Sequence, residues 1–329
     1  MPIRAVTWVA FAAVLLLVAC SEDKAPGPGA GPGTGPGSEP GPGPGGTGTG
    51  TGTGVTDEAC KHADVVIAVD DSSSMSEEID SIRNIVFPAF ADRLLTIGAG
   101  LDDFRVAALD ACPDPNNFHT RGTARECSFA SGKSWMESTD PDLVGEFGCV
   151  GDIYNGDMNC SGDNDDEQPA SAAAAALESA AGSGINAGFL RDDALLVVVA
   201  ITDEDEQPVP GATAQEVFDR IVAIKGAVHR VVFLGIGGAS SCDGVYGHAR
   251  QATKLREVTS LFEAAGRGVF WDLCGGHLED GLDRVFEVID RACNDLPRCD
   301  EFGAGFDESC YPPPPEEPPP DPDGGAPLI

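Results

Sequence analysis

The chain has 329 residues, with 54 Asp and Glu against 20 Lys and Arg, and its formal net charge is −34. Nucleic-acid binding needs a basic face, so this balance argues against DNA and RNA as partners. The length suffices for one large domain with a buried core, whereas the clustering of 42 Gly and 25 Pro predicts further segments that bury none.

Residues 1–19 have the features of a bacterial export signal. Arg4 provides a positive start, and the apolar run after it suits a signal sequence but is too short to span a bilayer. The run ends in Leu-Val-Ala-Cys at 17–20, which resembles a lipoprotein signal, the lipobox. That resemblance implies cleavage before Cys20 and acylation of its thiol, and Ser21 implies transfer to the outer membrane. An ordinary signal peptide cut nearby is the alternative.

Two low-complexity segments flank the central part of the chain. Residues 20–59 run from the cysteine into alternating Gly–Pro and Gly–Thr pairs, and residues 294–329 contain two cysteines and end in a Pro-rich stretch. Such compositions are typical of extended or random chain. We therefore expect a disordered tail and a linker that holds the domain away from a membrane. The expected location is the cell outer membrane, lipid-anchored, either periplasmic or exposed at the surface.

Residues 60–293 alternate between strand and helix patterns, which predicts one α/β domain. Its apolar runs are continuous rather than alternating, as in parallel strands that are covered on both faces. We expect a doubly wound, Rossmann-like parallel sheet with helices on both faces, and ligands at the carboxyl ends of its strands. The predicted strands are 65–69, 104–109, 194–201, 230–236 and 268–272, and the predicted helices are 76–97, 169–181, 213–227, 250–265 and 278–291.

Polar turns follow two of these predicted strands. Asp70, Ser72 and Ser74 come directly after the first strand with the spacing Asp-x-Ser-x-Ser, and a tight turn can point such side chains at one centre. Asp203 follows the strand at 194–201, which we expect to lie beside the first. Hydroxyl and carboxylate oxygens suit Mg²⁺, Ca²⁺ or Mn²⁺. The alternative role for the serines is to cap the helix that follows.

The two turns lie in segments that resemble a von Willebrand factor A (VWA) domain. The matching segments are VVIAVDDSSSM at 65–75 and LLVVVAITDEDE at 195–206. The resemblance implies a metal-ion-dependent adhesion site in which Ser72 and Ser74 bind the cation directly, and Asp70 and Asp203 bind it directly or through water. Hydroxyl ligands leave the cation partly uncompensated, so it can also take an acidic group of a partner.

One ligand of that family pattern is missing from the sequence. The VWA pattern supplies a Thr from the loop before a middle helix, and the corresponding loop at 163–169 contains none. Glu167 is the first candidate as a substitute, Asp166 is the second, and water is the third. A carboxylate at this position would favour Ca²⁺ and weaken the capture of an acidic partner.

Without Cys20, ten cysteines remain, which in an exported protein predicts five disulfides. The expected pairs are Cys60–Cys293 across the ends of the domain, Cys242–Cys274 between neighbouring loops, and Cys299–Cys310 in the tail. The other four, Cys112, Cys127, Cys149 and Cys160, lie in an insertion at 110–166 and allow three pairings. We expect this insertion to lie at the metal-site edge of the sheet.

The whole chain resembles VWA lipoproteins of Gram-negative, myxobacterial-type bacteria, including the segment FLRDDA at 189–194. The resemblance implies a metal-dependent adhesion or binding module for protein or glycan partners. We do not expect an enzyme, because the chain lacks the sequence motifs of serine hydrolases, zinc proteases and P-loop nucleotidases. The alternatives are a structural envelope protein with a vestigial metal site and, less favoured, a metal-dependent hydrolase.

Overall fold

A six-stranded, mostly parallel sheet forms the centre of the fold. The computed structural model describes residues 61–96, 101, 103–114, 117–122, 125–151, 167–207 and 211–301, which belong to one unit of the chain. The strands are β1 (His62–Val69), β2 (Asp103–Asp110), β3 (Met136–Glu137), β4 (Leu195–Ile201), β5 (Val231–Gly237), the separate short pair β6 (Cys242–Asp243) and β7 (His248–Ala249), and β8 (Gly268–Asp272). Their order across the large sheet is β3-β2-β1-β4-β5-β8, and β3 alone is antiparallel to its neighbour.

Helices flank both faces of this sheet. They are α1 (Ser76–Ser81), α2 (Phe87–Thr96), α3 (Leu143–Val150), α4 (Pro169–Ala181), α5 (Ala214–Lys225), α6 (Thr253–Ala264) and α7 (Leu278–Glu301), with a π-helical turn at Ile82–Val86 that joins α1 to α2. This architecture confirms the predicted α/β fold. Among the described residues, no helix is both long and apolar enough to cross a membrane.

The continuous apolar strands contribute side chains to two hydrophobic cores, one on each face of the sheet. Val65, Ile67 and Val69 of β1 point to the core formed with α1, α2 and α7, whereas Val66 and Ala68 point to the core formed with α4, α5 and α6. Successive strand residues face opposite sides of a sheet, so both sets are buried. The small side chains at 170–176 of α4 are buried, which lets this helix pack closely on the sheet.

Most of the predicted elements are present, and the differences have simple causes. Helix α4 has the bounds predicted for it, whereas α7 continues beyond 291 because Ala292, Cys293 and Leu296 extend its buried face. The helix α3 and the three short strands β3, β6 and β7 were not predicted. Each is eight residues long or shorter, and so carries too little periodic pattern to identify.

Two disulfides in the structure test the predicted cysteine pairs. Cys242 and Cys274 are bonded as predicted, and Cys127 is bonded to Cys149, which selects one of the three pairings in the insertion. Cys112 and Cys293 also take part in disulfides. The pairs 60–293 and 299–310 each include a cysteine outside the described residues and stay predictions, as do the Cys20 lipidation site, residues 1–59 and the tail.

A buried ion pair closes the amino end of the sheet. Asp64 of β1 is fully buried, and its carboxylate accepts hydrogen bonds from the backbone N–H and the Nε of Arg191, at 2.7 and 2.8 Å. Arg191 also donates to Asp103 of β2 and to the carbonyl of Ala63. Burial raises the pKa of Asp64, and Arg191 opposes that rise. The pair therefore ties β1, β2 and the turn before β4 together.

Replacing Arg191→Ala should destabilise the domain strongly, because it leaves the buried Asp64 carboxylate without its partner. We expect the free energy of unfolding to fall by about 3–5 kcal/mol. The matched control is Arg220→Ala, whose exposed ion pair with Glu178 should contribute at most about 1 kcal/mol. Urea denaturation of both variants measures the difference, and equal losses would contradict this role for Arg191.

Candidate metal centre

The two polar turns leave the sheet side by side. β1 and β4 are parallel neighbours, with Val69 opposite Ile201, and the N–H of Asp70 donates to the Ile201 carbonyl at 2.9 Å. The chain continues from β1 to β2 on one side and reaches β4 on the other, so the strand order reverses between β1 and β4. That crevice is where doubly wound sheets bind their ligands.

The predicted ligands from these turns form one connected group. The Ser72 and Ser74 hydroxyls lie 2.9 Å apart, and the Ser74 hydroxyl donates to Oδ1 of Asp203 at 3.1 Å. Asp70 lies beneath them, fully buried, and its Oδ1 accepts the N–H of Ser72 at 2.8 Å. Ser74 is exposed, so the group opens to solvent on that side. The alternative role of the serines as side-chain helix caps is not observed.

Thr202 belongs to the same group, although the sequence analysis assigned it no role. Its Oγ1 donates to Oδ2 of Asp70 at 2.7 Å and accepts the N–H of Glu204 at 3.2 Å. Asp70 therefore has both carboxylate oxygens held by the protein. The signal was present in the sequence, because Thr202 precedes Asp203 at the end of an apolar strand.

Glu167 reaches the same centre from a third segment of the chain. Its backbone exchanges two hydrogen bonds with Gln207, at 3.2 and 3.3 Å, which fixes it beside the loop that follows β4. Its side chain is buried, and the carboxyl of Glu204 lies close enough to raise its pKa. The structure thus places Glu167 near Asp70 and Asp203, and its role as a metal ligand stays a prediction. The second candidate, Asp166, lies outside the described residues.

Glu206 determines where α4 begins, and sequence reasoning missed it. Its carboxylate is buried and accepts the N–H of Ala170 at 3.0 Å and the Ser171 hydroxyl at 2.9 Å, and Lys254 lies 3.4 Å away. A carboxylate at a helix N-terminus satisfies free N–H groups. Because Glu167 is two residues before Pro169, this contact also supports its position.

The centre concentrates negative charge in a buried place. Burial raises the pKa of Asp70, raises that of Asp203 to about 6 and raises that of Asp71 to about 7. Burial also raises the pKa of Glu167 to about 9, with added contributions from Glu204, Asp70 and Asp203. Among the described residues, Asp70, Asp203 and Glu167 form no ion pair with Lys, Arg or His. Carboxyl groups so arranged must hold protons or share a cation.

These donors fit a hard divalent cation. All of them are oxygens, they come from three separate segments, and two are neutral hydroxyls, as Mg²⁺, Mn²⁺ and Ca²⁺ accept. Within the described part of the chain, no three His, Cys, Asp or Glu side chains already stand as a ready set of metal ligands. The donors described here differ from such a set, because two of them are serine hydroxyls. The Asp70 carboxylate also already accepts hydrogen bonds from Ser72 and Thr202.

Comparison with known proteins finds similarity among solved structures. No protein-family model and no curated protein matches the chain. Among solved structures, the chain is similar to proximal thread matrix protein 1 from the mussel byssus, with 16% identity, a TM-score of 0.42 and coverage of 70% of this chain. The match spans 49% of the length of that protein.

The raised pKa values predict how the metal-free protein responds to pH. A carboxyl whose pKa is raised on folding favours the folded state below its unfolded pKa of about 4, and this stabilisation is lost as the pH rises through the folded pKa. Those folded values are about 6 for Asp203, about 7 for Asp71 and about 9 for Glu167. In chelator, the melting temperature should therefore fall from about pH 5 to about pH 9.

Excess Mg²⁺ or Ca²⁺ should remove most of that fall, because the cation stabilises the ionised carboxylates. Calorimetry over this pH range with and without the ion measures the effect. The double variant Asp71→Asn with Glu167→Gln is the control and should have a flatter profile in chelator. Identical profiles for the wild type with and without the ion would contradict the interpretation.

Proposed function

We propose that this protein is a lipid-anchored binding module of the cell envelope that holds a divalent cation and uses it to bind a protein or glycan partner. The observation that carries the proposal is the contact of Ser74 with both Ser72 and Asp203, which joins the turns after β1 and β4 at one point. The anchor is Cys20 and the tether is the Gly-, Pro- and Thr-rich segment that follows it.

The difference in exposure among the predicted metal ligands supports the binding of a partner from the solvent side. Asp70 is fully buried and Asp203 is 3% exposed, whereas Ser74 faces solvent. A cation held here keeps an open coordination position on the Ser74 side, to which a partner oxygen can bind. Neutral hydroxyl ligands leave the cation part of its charge, which attracts that oxygen.

Glu167 modifies this site in a specific way. A carboxylate in place of a hydroxyl adds negative charge close to the cation, which favours Ca²⁺ and lowers the attraction for a carboxylate of the partner. The variant Glu167→Thr should therefore strengthen Mg²⁺ binding relative to Ca²⁺ binding. It also makes acidic partner groups better ligands.

The second candidate is a structural envelope protein whose metal site is vestigial. The presence of Glu167 where the VWA pattern has Thr favours it, and so does the lack of a ready set of metal ligands among the described residues. Under this hypothesis Glu167, with its pKa raised to about 9, keeps its proton at neutral pH, and divalent ions have no effect on the protein.

Titration calorimetry with Mg²⁺, Mn²⁺ and Ca²⁺ distinguishes the two hypotheses. We expect Asp203→Asn and Asp70→Ala to weaken Mg²⁺ binding by at least about tenfold, because each removes a group from the coordination shell or its support. Asp219→Asn, an exposed acid on α5, is the matched control and should bind as the wild type does. Wild-type heats that equal those of Asp203→Asn would support the vestigial site.

Partner capture tests the binding role itself. The wild-type protein should retain an envelope protein or glycan in the presence of the cation and release it in chelator. Asp203→Asn should retain much less of the same partner in either condition. Capture that is unaffected by chelator and by Asp203→Asn would contradict a metal-dependent partner.

A further inference from the structure

Glu78 of α1 is a buried acid that the proposed cation site does not use. Its side chain is 1% exposed, and among the residues that the structure describes neither of its carboxyl oxygens has a hydrogen-bond partner. Buried polar atoms without a partner are rare, and a buried charge without one is costly. Whatever covers Glu78 therefore does so at a cost that depends on the charge of the carboxyl group.

The β6–β7 hairpin covers this carboxyl group. A Cβ atom at position 247 would overlap Oε1 of Glu78 and lie 2.9 Å from Oε2, so the backbone of Gly247 lies directly against the carboxyl. Gly247 also has a φ of 145°, which a residue with a side chain rarely adopts. The contact with Glu78 and the backbone conformation both require glycine at this position.

The hairpin is fixed more firmly at its base than at its tip. The disulfide between Cys242 and Cys274 holds the base, and Ala249 at the end of β7 is buried. Toward the tip, the Tyr246 hydroxyl accepts the N–H of Leu278 at 3.4 Å, which is a long hydrogen bond. The tip can therefore move away from α1 while the base stays in place.

Charged groups on three elements face the Glu78 carboxyl. Burial raises its pKa, Asp203 in the turn after β4 and Glu77 of α1 add to the rise, and its own N–H and His248 of β7 oppose it. The resulting pKa is about 7. A neutral carboxyl can stay beneath the hairpin at little cost, whereas a carboxylate in the same place has lost its hydration.

We propose that Glu78 and the β6–β7 hairpin form a pH-sensitive latch. The hairpin is closed over α1 while the Glu78 carboxyl holds a proton. When the carboxyl ionises, the tip of the hairpin leaves α1 and water reaches the carboxylate.

The direction of the pH effect follows from the two pKa values of Glu78. In the open hairpin the carboxyl is in water and has its ordinary pKa of 4.5, whereas in the closed hairpin its pKa is about 7. The closed state is thus fully favoured below about pH 4.5, and this advantage is lost as the pH rises to about 7. A further rise in pH has little effect.

The latch lies beside the turn that follows β4. The N–H of Arg250, directly after the hairpin, donates to the Asp203 carbonyl at 2.6 Å. Opening of the hairpin therefore weakens the support of Asp203. Any effect on cation binding rests on the proposed function, whereas the latch itself requires no cation.

Hydrogen–deuterium exchange of the full chain in chelator tests the latch. A two-stranded hairpin is marginally stable by itself, so residues 242–249 should exchange once the hairpin leaves α1. In the wild type, their protection factor, which corrects for the intrinsic effect of pH, should fall at least about tenfold from pH 5 to pH 8. Glu78→Gln keeps the shape without the charge and should change less than about twofold. The exposed neighbour supplies the matched control, Glu77→Gln, which should retain the fall.

Two comparisons make the result specific to Glu78. Glu78→Gln leaves the exposed pair of His248 with Asp243 in place, so any pH effect of that pair remains in the variant. Gly247→Ala should lower the protection already at pH 5, because the added methyl group overlaps the carboxyl, and unchanged protection there would count against the contact. No fall in the wild type, or an equal fall in Glu78→Gln, would overturn the proposal. Absence of the cation site would leave all of these results unchanged.

Discussion

The direct pairing of β1 with β4 determines the arrangement of the carboxyl edge of the sheet. It aligns Val69 with Ile201, so that Asp70 and Thr202 emerge as neighbours and Asp203 follows one residue later. The same pairing brings together carboxyl groups that repel each other where little water screens them. A cation bound between these carboxyl groups would remove their repulsion and so stabilise the fold. This is the physical basis of the proposed function.

Further contacts position Glu167, which does not lie at the end of a strand. Glu206 holds the first turn of α4, and the backbone pair of Glu167 with Gln207 fixes the loop before it. Through these contacts the Ala-rich helix, which packs closely because its side chains are small, also positions Glu167. The proposed site therefore depends on packing at some distance from the cation, and not only on the Asp-x-Ser-x-Ser turn.

The sequence predicts the sheet and the convergence of its turns better than the details around them. β1, β4 and β5 contain continuous apolar runs because both of their faces are buried. The carboxyl ends of parallel strands lie at one edge of the sheet. The roles of Thr202 and Glu206 were missed because an acidic run after a strand looks like a solvated loop. That Glu206 turns inward to α4 depends on tertiary packing. The insertion lacks periodicity, so α3 and the partner of Cys127 could not be derived from pattern alone.

The central claim is that one divalent ion is bound between the turn after β1 and the turn after β4. Anomalous diffraction from crystals soaked in Mn²⁺ tests it most directly. The account predicts a single strong peak within about 2.0–2.6 Å of the Ser72 and Ser74 hydroxyls, a typical range for oxygen ligands of divalent ions, and its loss in Asp203→Asn. No peak between Ser74 and Asp203 at saturating Mn²⁺, with the hydroxyl–carboxylate hydrogen bond intact, would contradict the account.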